Sequence, residues 1–462
     1  MPSNKIDENI EDDLENYIED LKDLLSQPSI STTGEGITEC VELVRELCKK
    51  YGFDEIEKIK TPGNPAIIAR AFADIDEKYQ APTLLIYGHY DVQPVDNERW
   101  TTPPFQPDIR EGKDGRERIY ARGAGDNKGQ WFAHLCAVKT MRDLDGLPIN
   151  ILLLLEGEEE KGSPNLREVV KEREEFQEVE LAYISDGPID ESNRPQVLLG
   201  VRGLLYVELQ ANGADKDLHS GIYGGPLPNP AWELIRILDS MKDENGKINI
   251  DGFYEDVLDI TDEDKEVLKE IPVDEERIKK ELGIDSFAEG PGDSYHEKLI
   301  YHPTLNIPGF TSGYTGEGVK TIIPCEAKAK IDMRLVADQD PDDIFKKFSE
   351  HVKERGSESV NVEIVFHDSM KPYRIPLDSP LVKPMMKAVR GAWKQEPVLK
   401  PAAGGSLPSY VFAEELGIDC VVVPYANADE NNHSPDENLA LDCFEKGIKT
   451  TCRVAKYMSE TY

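Results

Sequence analysis

The stretch T-L-L-I-Y-G-H-Y-D-V-Q-P, residues 83–94, is the segment around which the rest of the chain is organised. Its apolar run, 84–87, is typical of a buried strand that ends at Gly88. Side chains two residues apart point the same way on extended backbone, so the pattern places His89 beside Asp91, a carboxylate that can orient the imidazole. The alternative is a lone histidine at a strand end with a solvated aspartate, and the remaining motifs bear on that choice.

Composition narrows the possible partners. The chain has 462 residues, which suggests two or three domains, and its 90 Asp and Glu against 53 Lys and Arg give a net charge of -37. This charge repels phosphate backbones and anionic lipid headgroups, so we expect no nucleic-acid partner and no membrane partner. The acidic excess fits a protein that stays dissolved at high salt, although an acidic cytosol explains the same numbers.

The cysteines and the N-terminus indicate a compartment. Seven cysteines are scattered without a C-x-x-C pair, which is typical of reduced thiols packed as small hydrophobic groups. The N-terminus lacks a positively charged segment followed by an apolar one, and no stretch approaches membrane-spanning length. We therefore expect a soluble, cytoplasmic protein.

Short apolar runs alternate with helical patterns, which predicts an α/β protein. In the first part we predict strands at 66–71, 84–87, 149–155 and 181–184 and helices at 127–141 and 165–173. We expect a catalytic domain, residues 1–200 and 373–462, with a central, mainly parallel sheet flanked by helices and a late helix at 439–458. Residues 201–372 are expected to form a smaller α/β lid domain that mediates dimerisation and carries an acidic insertion near 243–305.

Ligand-type residues follow several predicted strands. The motif R-G-A-G-D-N-K-G, 122–129, places Asp126 near a helix start; a dinucleotide loop is the alternative, but its third glycine comes one residue late. E-G-E-E-E, S-D-G and N-N-H, at 156–160, 185–187 and 431–433, come after three further strands. Each motif alone could be a solvated loop or turn. Together, carboxylates and imidazoles at several strand ends supply one shared carboxylate plus two further ligands for each of two zinc ions.

With D-L-H-S-G at 217–221, K-T-I-I-P at 320–324, D-M-R-L-V at 332–336 and G-G-S at 404–406, these motifs resemble the co-catalytic dizinc peptidases and aminoacylases. The chain is most similar to their carnosinase-like branch of cytosolic dipeptidases, over nearly its whole length. The resemblance implies two zinc ions per chain, with manganese or cobalt as substitutes. It also implies hydrolysis of dipeptides or short peptides by a metal-bridged hydroxide.

The resemblance implies a role for each matching residue. His89 and Asp186 would complete one zinc site, Glu160 and His433 the other, and Asp126 would bridge the ions and precede a cis peptide bond. Glu159 would be the general base and Asp91 the orienter of His89. The substrate-side residues would be His219, which reaches across a homodimer as the oxyanion donor, Arg334, which binds the terminal carboxylate, and Thr321, His367, Gly404, Gly405 and Ser406.

Two features bear on the substrate. Aspartate rather than glutamate at position 186 resembles the choice made by dipeptidases and aminopeptidases. Related dipeptidases tend to have an acidic residue just before G-G-S, where this chain has Ala402 and Ala403, so binding of a free substrate amine is in question. The alternatives are an N-acyl amino acid deacylase or desuccinylase and, in a different class, a metal-binding protein without catalysis. The last is disfavoured because the base and all five ligands are present.

Overall fold

The first part of the chain builds most of a large sheet. The computed structural model describes residues 3–75, 81–95, 99–171 and 173–462. The strands of the first part are β1 (Glu55–Ile59), β2 (Ala66–Ala71), β3 (Thr83–His89), β4 (Asp108–Glu111), β5 (Glu117–Tyr120), β6 (Asn150–Glu156) and β7 (Leu181–Ile184). Its helices are α1 (Ser3–Ser26), α2 (Ile37–Lys50), α3 (Lys128–Leu144) and α4 (Leu166–Lys171).

The middle and the end of the chain continue the alternation of strands and helices. In the middle come β8 (Gln196–Leu198), β9 (Gly200–Val201), β10 (Gly203–Asn212), β11 (Leu218–His219), α5 (Ser220–Tyr223), α6 (Pro230–Ser240), α7 (Asp262–Glu270), α8 (Glu275–Leu282), α9 (Tyr295–Ile300), β12 (Thr304–Ser312), β13 (Ile322–Ile323), β14 (Glu326–Leu335), α10 (Pro341–Arg355), β15 (Asn361–Met370) and β16 (Tyr373–Arg374). The end consists of α11 (Val382–Trp393), β17 (Val398–Lys400), α12 (Ser409–Leu416), β18 (Asp419–Val422), β19 (Asn438–Ala440) and α13 (Leu441–Thr461).

The central sheet has eight strands in the order β1-β2-β6-β3-β7-β18-β8-β17. The pairs β6–β3, β3–β7, β7–β18 and β8–β17 are parallel, and the other three pairs are antiparallel. Every residue of β3 is buried, as expected for a strand covered by helices on both faces. The predicted α/β class with a mainly parallel central sheet is therefore confirmed.

The chain segment that lies between the two parts of the large unit forms a second, antiparallel sheet. It has the order β12-β14-β10-β15, and α6 and α10 pack on it to enclose a separate hydrophobic core drawn from residues 205–360. We call residues 203–370 the lid. The separate cores support the domain boundaries predicted at about 200 and 372, which we retain as a proposal.

The chain passes from the large unit to the lid and back through two crossing segments, and these lie side by side. The short strands β9 and β16 pair antiparallel, with Val201 opposite Tyr373 and Gly200 opposite Arg374. From the lid, α7 and α9 reach back to the large unit, where Ile300 and Tyr301 pack with Val398 and Ala402. The insertion therefore contacts both units.

Several details refine the expectations from sequence. The last helix begins at Leu441 rather than 439, because the preceding residues form β19, which pairs with β5. The helix expected over 165–173 ends at Lys171, and residue 172 lies outside the described residues.

All seven cysteines are free and six are buried, as expected. Within the described residues, none of the helices combines the length and apolarity needed to span a membrane.

Gly88 lies where the start of α3 packs against β3. A Cβ built on Gly88 would lie 2.9 Å from Cβ of Trp131 and 2.9 Å from Oδ1 of Asn127. The indole of Trp131 donates to the carbonyl oxygen of His89 at 2.9 Å. The glycine therefore lets α3 pack directly on the strand end that carries His89.

We predict that Gly88→Ala destabilises the protein by about 1–3 kcal/mol, because the added methyl forces these neighbours apart. Urea denaturation measures the change. Gly309→Ala in β12 is the matched control, since a Cβ there meets only ordinary contacts of 3.7 Å or more. Equal stability of the Gly88→Ala variant and the wild type would contradict this account of the packing.

Candidate metal centre

Parallel strand ends bring the predicted ligand residues together. The strands β6 and β7 pair with β3 on either side, all three in the same direction. His89 ends β3, while Glu160 and Asp186 follow β6 and β7, so all three reach the same edge of the sheet. Asp126 precedes α3, and His433 lies in the loop after β18, the parallel neighbour of β7.

The first group of candidate ligands consists of His89, Asp126 and Asp186. The Nε2 atom of His89 lies 3.2 Å from Oδ1 of Asp126 and 3.4 Å from Oδ2 of Asp186. One ligand atom from each residue lies within 4.8 Å of the others, and all three residues are buried. This spacing is compatible with a single ion bound by one imidazole and two carboxylates.

The second group consists of Asp126, Glu160 and His433. The Nε2 atom of His433 lies 3.0 Å from Oδ2 of Asp126 and 3.3 Å from Oε2 of Glu160. Asp126 thus belongs to both groups and turns a different oxygen toward each histidine. This is the arrangement that a bridging carboxylate requires. The peptide bond between Asp126 and Asn127 is cis, as expected from the resemblance.

The chemistry of this cluster fits bound divalent cations. His89 is completely buried, and its Nε2 atom has no hydrogen-bond partner although carboxylates surround it. The pKa values of Glu160 and Asp186 are raised. Burial disfavours their charged forms, and the negative charge of Asp126 repels them. Two cations would compensate this buried negative charge, and imidazole with carboxylate oxygen suits zinc, manganese or cobalt.

Glu159 lies beside the cluster and belongs to neither ligand group. One of its carboxylate oxygens is 4.0 Å from Nε2 of His89. Burial, together with the negative charges of Asp186 and Glu160, raises its pKa well above the ordinary value, and His89 partly opposes the shift. A carboxyl group that lies beside the candidate ligands and belongs to neither group is placed to exchange a proton with a reacting water molecule.

The orientation of His89 has a main-chain component that sequence did not predict. Its Nδ1 lies 3.0 Å from the carbonyl oxygen of Asp91 and 3.5 Å from the carboxylate of the same residue. That carboxylate instead accepts a hydrogen bond from the backbone N–H of Glu160 at 3.3 Å. Asp91 therefore contacts one candidate ligand from each metal group.

Glu437 supports the bridging residue and was missed in the sequence. One oxygen of its buried carboxylate accepts the backbone N–H groups of Gly125 and Asp126, both at 3.0 Å. The other oxygen accepts from Nη1 of Arg122 at 2.7 Å. Arg122 opens the motif that contains Asp126, and Glu437 follows the N-N-H motif, so proximity to these motifs was the available signal.

A cavity of about 500 Å³ connects the candidate metal ligands to part of the predicted substrate side. Asp126, Glu159, Asp186 and His433 contribute to its wall. Elsewhere the wall includes four of the predicted substrate residues, Arg334, Gly404, Gly405 and Ser406. Nη1 of Arg334, from the lid, donates to Oγ of Ser406 at 3.0 Å, so the two units meet within the cavity.

Three predicted substrate residues do not line this cavity. His219 is exposed, and its Nδ1 accepts from the backbone N–H of Gly221 at 3.0 Å. Thr321 is close to His219, because its carbonyl oxygen accepts from the N–H of Ser220. The side chain of His367 is 42% exposed and packs edge-on against Tyr206. Within one chain, these three residues remain on the surface of the lid.

The fold and this site define the class of the protein: a mixed α/β enzyme in which candidate metal ligands gather at the ends of several parallel strands. The chain belongs to peptidase family M20/M25/M40, whose family model matches residues 85–457. The match therefore spans both units and every residue of the two ligand groups.

Individual relatives extend along nearly the whole chain. A Cys-Gly metallodipeptidase of Candida albicans is 30% identical over 483 residues, covering 97% of this chain and 96% of the relative. The human Beta-Ala-His dipeptidase is 29% identical, covering 84% of this chain and 76% of its own. Among solved structures, an M20 family metallo-carboxypeptidase of Sulfolobus solfataricus is 38% identical with a TM-score of 0.87, covering 96% and 99%.

We predict that the purified protein binds about two divalent ions per chain, which a chelator removes. His433→Ala should keep one ion, because the His89 group remains whole. Asp126→Ala should fall below one ion, because both groups lose a ligand. Mass spectrometry of metal content after dialysis measures this, with His302→Ala, in the insertion, as the control that keeps two. Two retained ions in Asp126→Ala would refute the bridging role.

Proposed function

We propose that the protein hydrolyses the peptide bond of dipeptides or short peptides and uses two divalent metal ions, most simply zinc, in a cytoplasmic setting. The observation that carries this proposal is the pair of ligand groups that share Asp126 beside a cavity that also contains Arg334. Two of these relatives are named dipeptidases and one is named a carboxypeptidase. Cleavage of a dipeptide by either kind of enzyme releases the C-terminal residue. An arginine fork suits the carboxylate of such a residue.

The residues of the chain divide the work of hydrolysis. Held by the two ligand groups that share Asp126, two ions would lower the pKa of a water molecule and polarise the scissile carbonyl. Glu159, beside both ligand groups, takes a proton from the attacking water and returns it to the leaving amine. Arg334, oriented by Ser406, holds the terminal carboxylate and so fixes the peptide bond next to the cluster.

One observation keeps N-acyl amino acids as a second substrate class. The carboxylates in the cavity wall are Asp126 and Asp186, which are candidate metal ligands, and Glu159, which lies beside them. Ala402 and Ala403 line the wall where related dipeptidases tend to have an acidic residue. The cavity therefore provides no separate carboxylate for a free amine among the described residues.

We propose that a second copy of the chain completes the site. His219 and Thr321 lie on the lid next to an exposed apolar group that we call the lid patch, formed by Ile222, Tyr223, Leu227, Trp232 and Ile235. Ile222 is 68% exposed and Trp232 is 65% exposed. A groove of about 560 Å³ beside Ser220 is lined by Leu227 and Trp232. Pairing of two lids would cover this surface and carry His219 to the neighbouring cavity as an oxyanion donor.

Glu159→Gln should lower kcat by about a thousandfold, because the variant cannot accept the proton of the water, while metal content stays at two ions. Steady-state kinetics with a dipeptide, paired with metal analysis, measures both quantities. Glu168→Gln on the exposed face of α4 is the control with normal turnover. Near-normal kcat in Glu159→Gln would remove this residue from the mechanism.

A panel that presents each C-terminal residue either as a dipeptide or as its N-acetyl amino acid separates the two substrate classes. The proposed function predicts that metal-loaded protein cleaves the dipeptides with the higher kcat/KM. Cleavage of the N-acetyl amino acids alone would establish the deacylase alternative.

Mixing two inactive variants tests the shared site. Glu159→Gln and His219→Ala should each be nearly inactive. His219→Ala removes the oxyanion donor, which costs about 3 kcal/mol of transition-state stabilisation. After the two are unfolded together and reassembled, a heterodimer has one cavity with an intact Glu159 and an intact partner His219, so activity should return. If heterodimers form and the mixture stays as inactive as its components, His219 does not act across the interface.

A further inference from the structure

The loop 404–406 is hydrogen-bonded to residues 200–202, where the chain crosses from the large unit to the lid. The N–H of Ala403 donates to the carbonyl oxygen of Gly200 at 2.9 Å, and the N–H of Arg202 donates to that of Gly405 at 3.0 Å. Val201 and Ala403 form a parallel bridge. The loop therefore runs beside β9, with which β16 also pairs.

Arg202 adds a side-chain bond to this attachment. Its Nε donates to the carbonyl oxygen of Gly404 at 2.9 Å, and the residue is 8% exposed. Burial, together with the positive charge of Arg334 nearby, lowers the pKa of Arg202 to about 10. Two consecutive loop carbonyls, at Gly404 and Gly405, thus accept hydrogen bonds from one residue.

The attachment determines where the loop N–H groups point. In a trans peptide the C=O and the following N–H face opposite ways, and the peptide bonds of this loop are trans. The N–H groups of Gly405 and Ser406 therefore face away from Arg202. Gly405 and Ser406 line the cavity and Arg202 does not, so the side of the loop opposite Arg202 is the cavity side. In the described part of the chain, neither N–H has an acceptor.

Two backbone N–H groups and a guanidinium therefore converge on the cavity wall. Arg334 reaches the same loop through Oγ of Ser406 at 3.0 Å. Successive backbone N–H groups beside a guanidinium form a site suited to a carboxylate.

We propose that Arg202 is a positioning residue: it fixes the loop 404–406 so that the N–H groups of Gly405 and Ser406, together with Arg334, bind the terminal carboxylate of the substrate. This inference rests on the proposed peptidase function and adds to it the residue that holds the carboxylate site in place. Arg202 itself acts from behind the loop and does not touch the substrate.

Arg374 provides a matched control. It lies in the crossing strand β16, and both arginines line one small cavity of about 20 Å³ between the crossings. The guanidinium of Arg374 lies 5.1 Å above the ring of Tyr301 and 3.6 Å from the carboxylate of Asp264, so its contacts are with the lid insertion. Arg374→Met therefore removes a charge from the same region without removing the bond to Gly404.

The test compares peptide pairs that differ only in a C-terminal carboxylate or carboxamide, with the metal-loaded full chain. Wild type should prefer the carboxylate. Arg202→Met should raise KM for the carboxylate peptide about tenfold or more, because the loop donors lose their alignment, with a much smaller change in kcat and little change for the amide. Arg374→Met should leave the ratio of the two kcat/KM values unchanged.

A purely structural role for Arg202 predicts a different result. If Arg202→Met lowers kcat/KM for both peptides by the same factor, the inference is wrong while the proposed function stands. If wild type cleaves neither peptide, or both equally well, the carboxylate-directed peptidase function itself fails. Should Arg202→Met not fold, Arg202→Lys serves in its place: it retains the charge, loses the planar donor, and should show a smaller rise in KM for the carboxylate peptide alone.

Discussion

The carboxylate of Asp126 lies between two imidazoles, with one oxygen 3.2 Å from Nε2 of His89 and the other 3.0 Å from Nε2 of His433. The rest of the candidate site depends on this position, because a carboxylate shared by two ligand groups would allow five residues to hold two ions. Its backbone is held by Glu437 from the far end of the chain. The parallel arrangement of β6, β3, β7 and β18 supplies the remaining ligands at one edge of the sheet.

The proposed substrate side depends on a different constraint, the meeting of two units. Arg334 belongs to the lid and Ser406 to the large unit, and a single hydrogen bond joins them within the cavity. The crossing strands β9 and β16 and the insertion helices set the distance between the units. Leu299 of α9 lies over the loop as well, since a Cβ on Gly404 would be 3.2 Å from it. The geometry of the proposed carboxylate site therefore follows from how the lid is attached.

Sequence predicted the parts of this molecule that local patterns encode. The strand that ends at His89 was recognisable because its residues are apolar and buried on both faces. β8 and β17 have only three residues each, too few to produce a periodic signal. Composition identifies the insertion only as acidic, although a capping box between Thr261 and Asp264 marks the start of α7.

Tertiary contacts explain what sequence missed in the site. The five candidate ligands and Glu159 lie in motifs beside strands, and the structure brings all six residues together. Glu437 and Arg202 lie outside the quoted motifs, and the backbone groups that they contact are far away in the chain. His219, Thr321 and His367 lie outside the cavity of their own chain, so their predicted roles require a second chain or a movement of the lid.

The most direct test of the account is anomalous X-ray diffraction at the metal absorption edge, on crystals of protein grown with zinc. The account predicts two peaks about 3.5–4 Å apart, each in contact with one oxygen of Asp126. One peak should also contact His89 and Asp186, and the other Glu160 and His433. A single peak, or two peaks that do not share Asp126, would contradict the central claim.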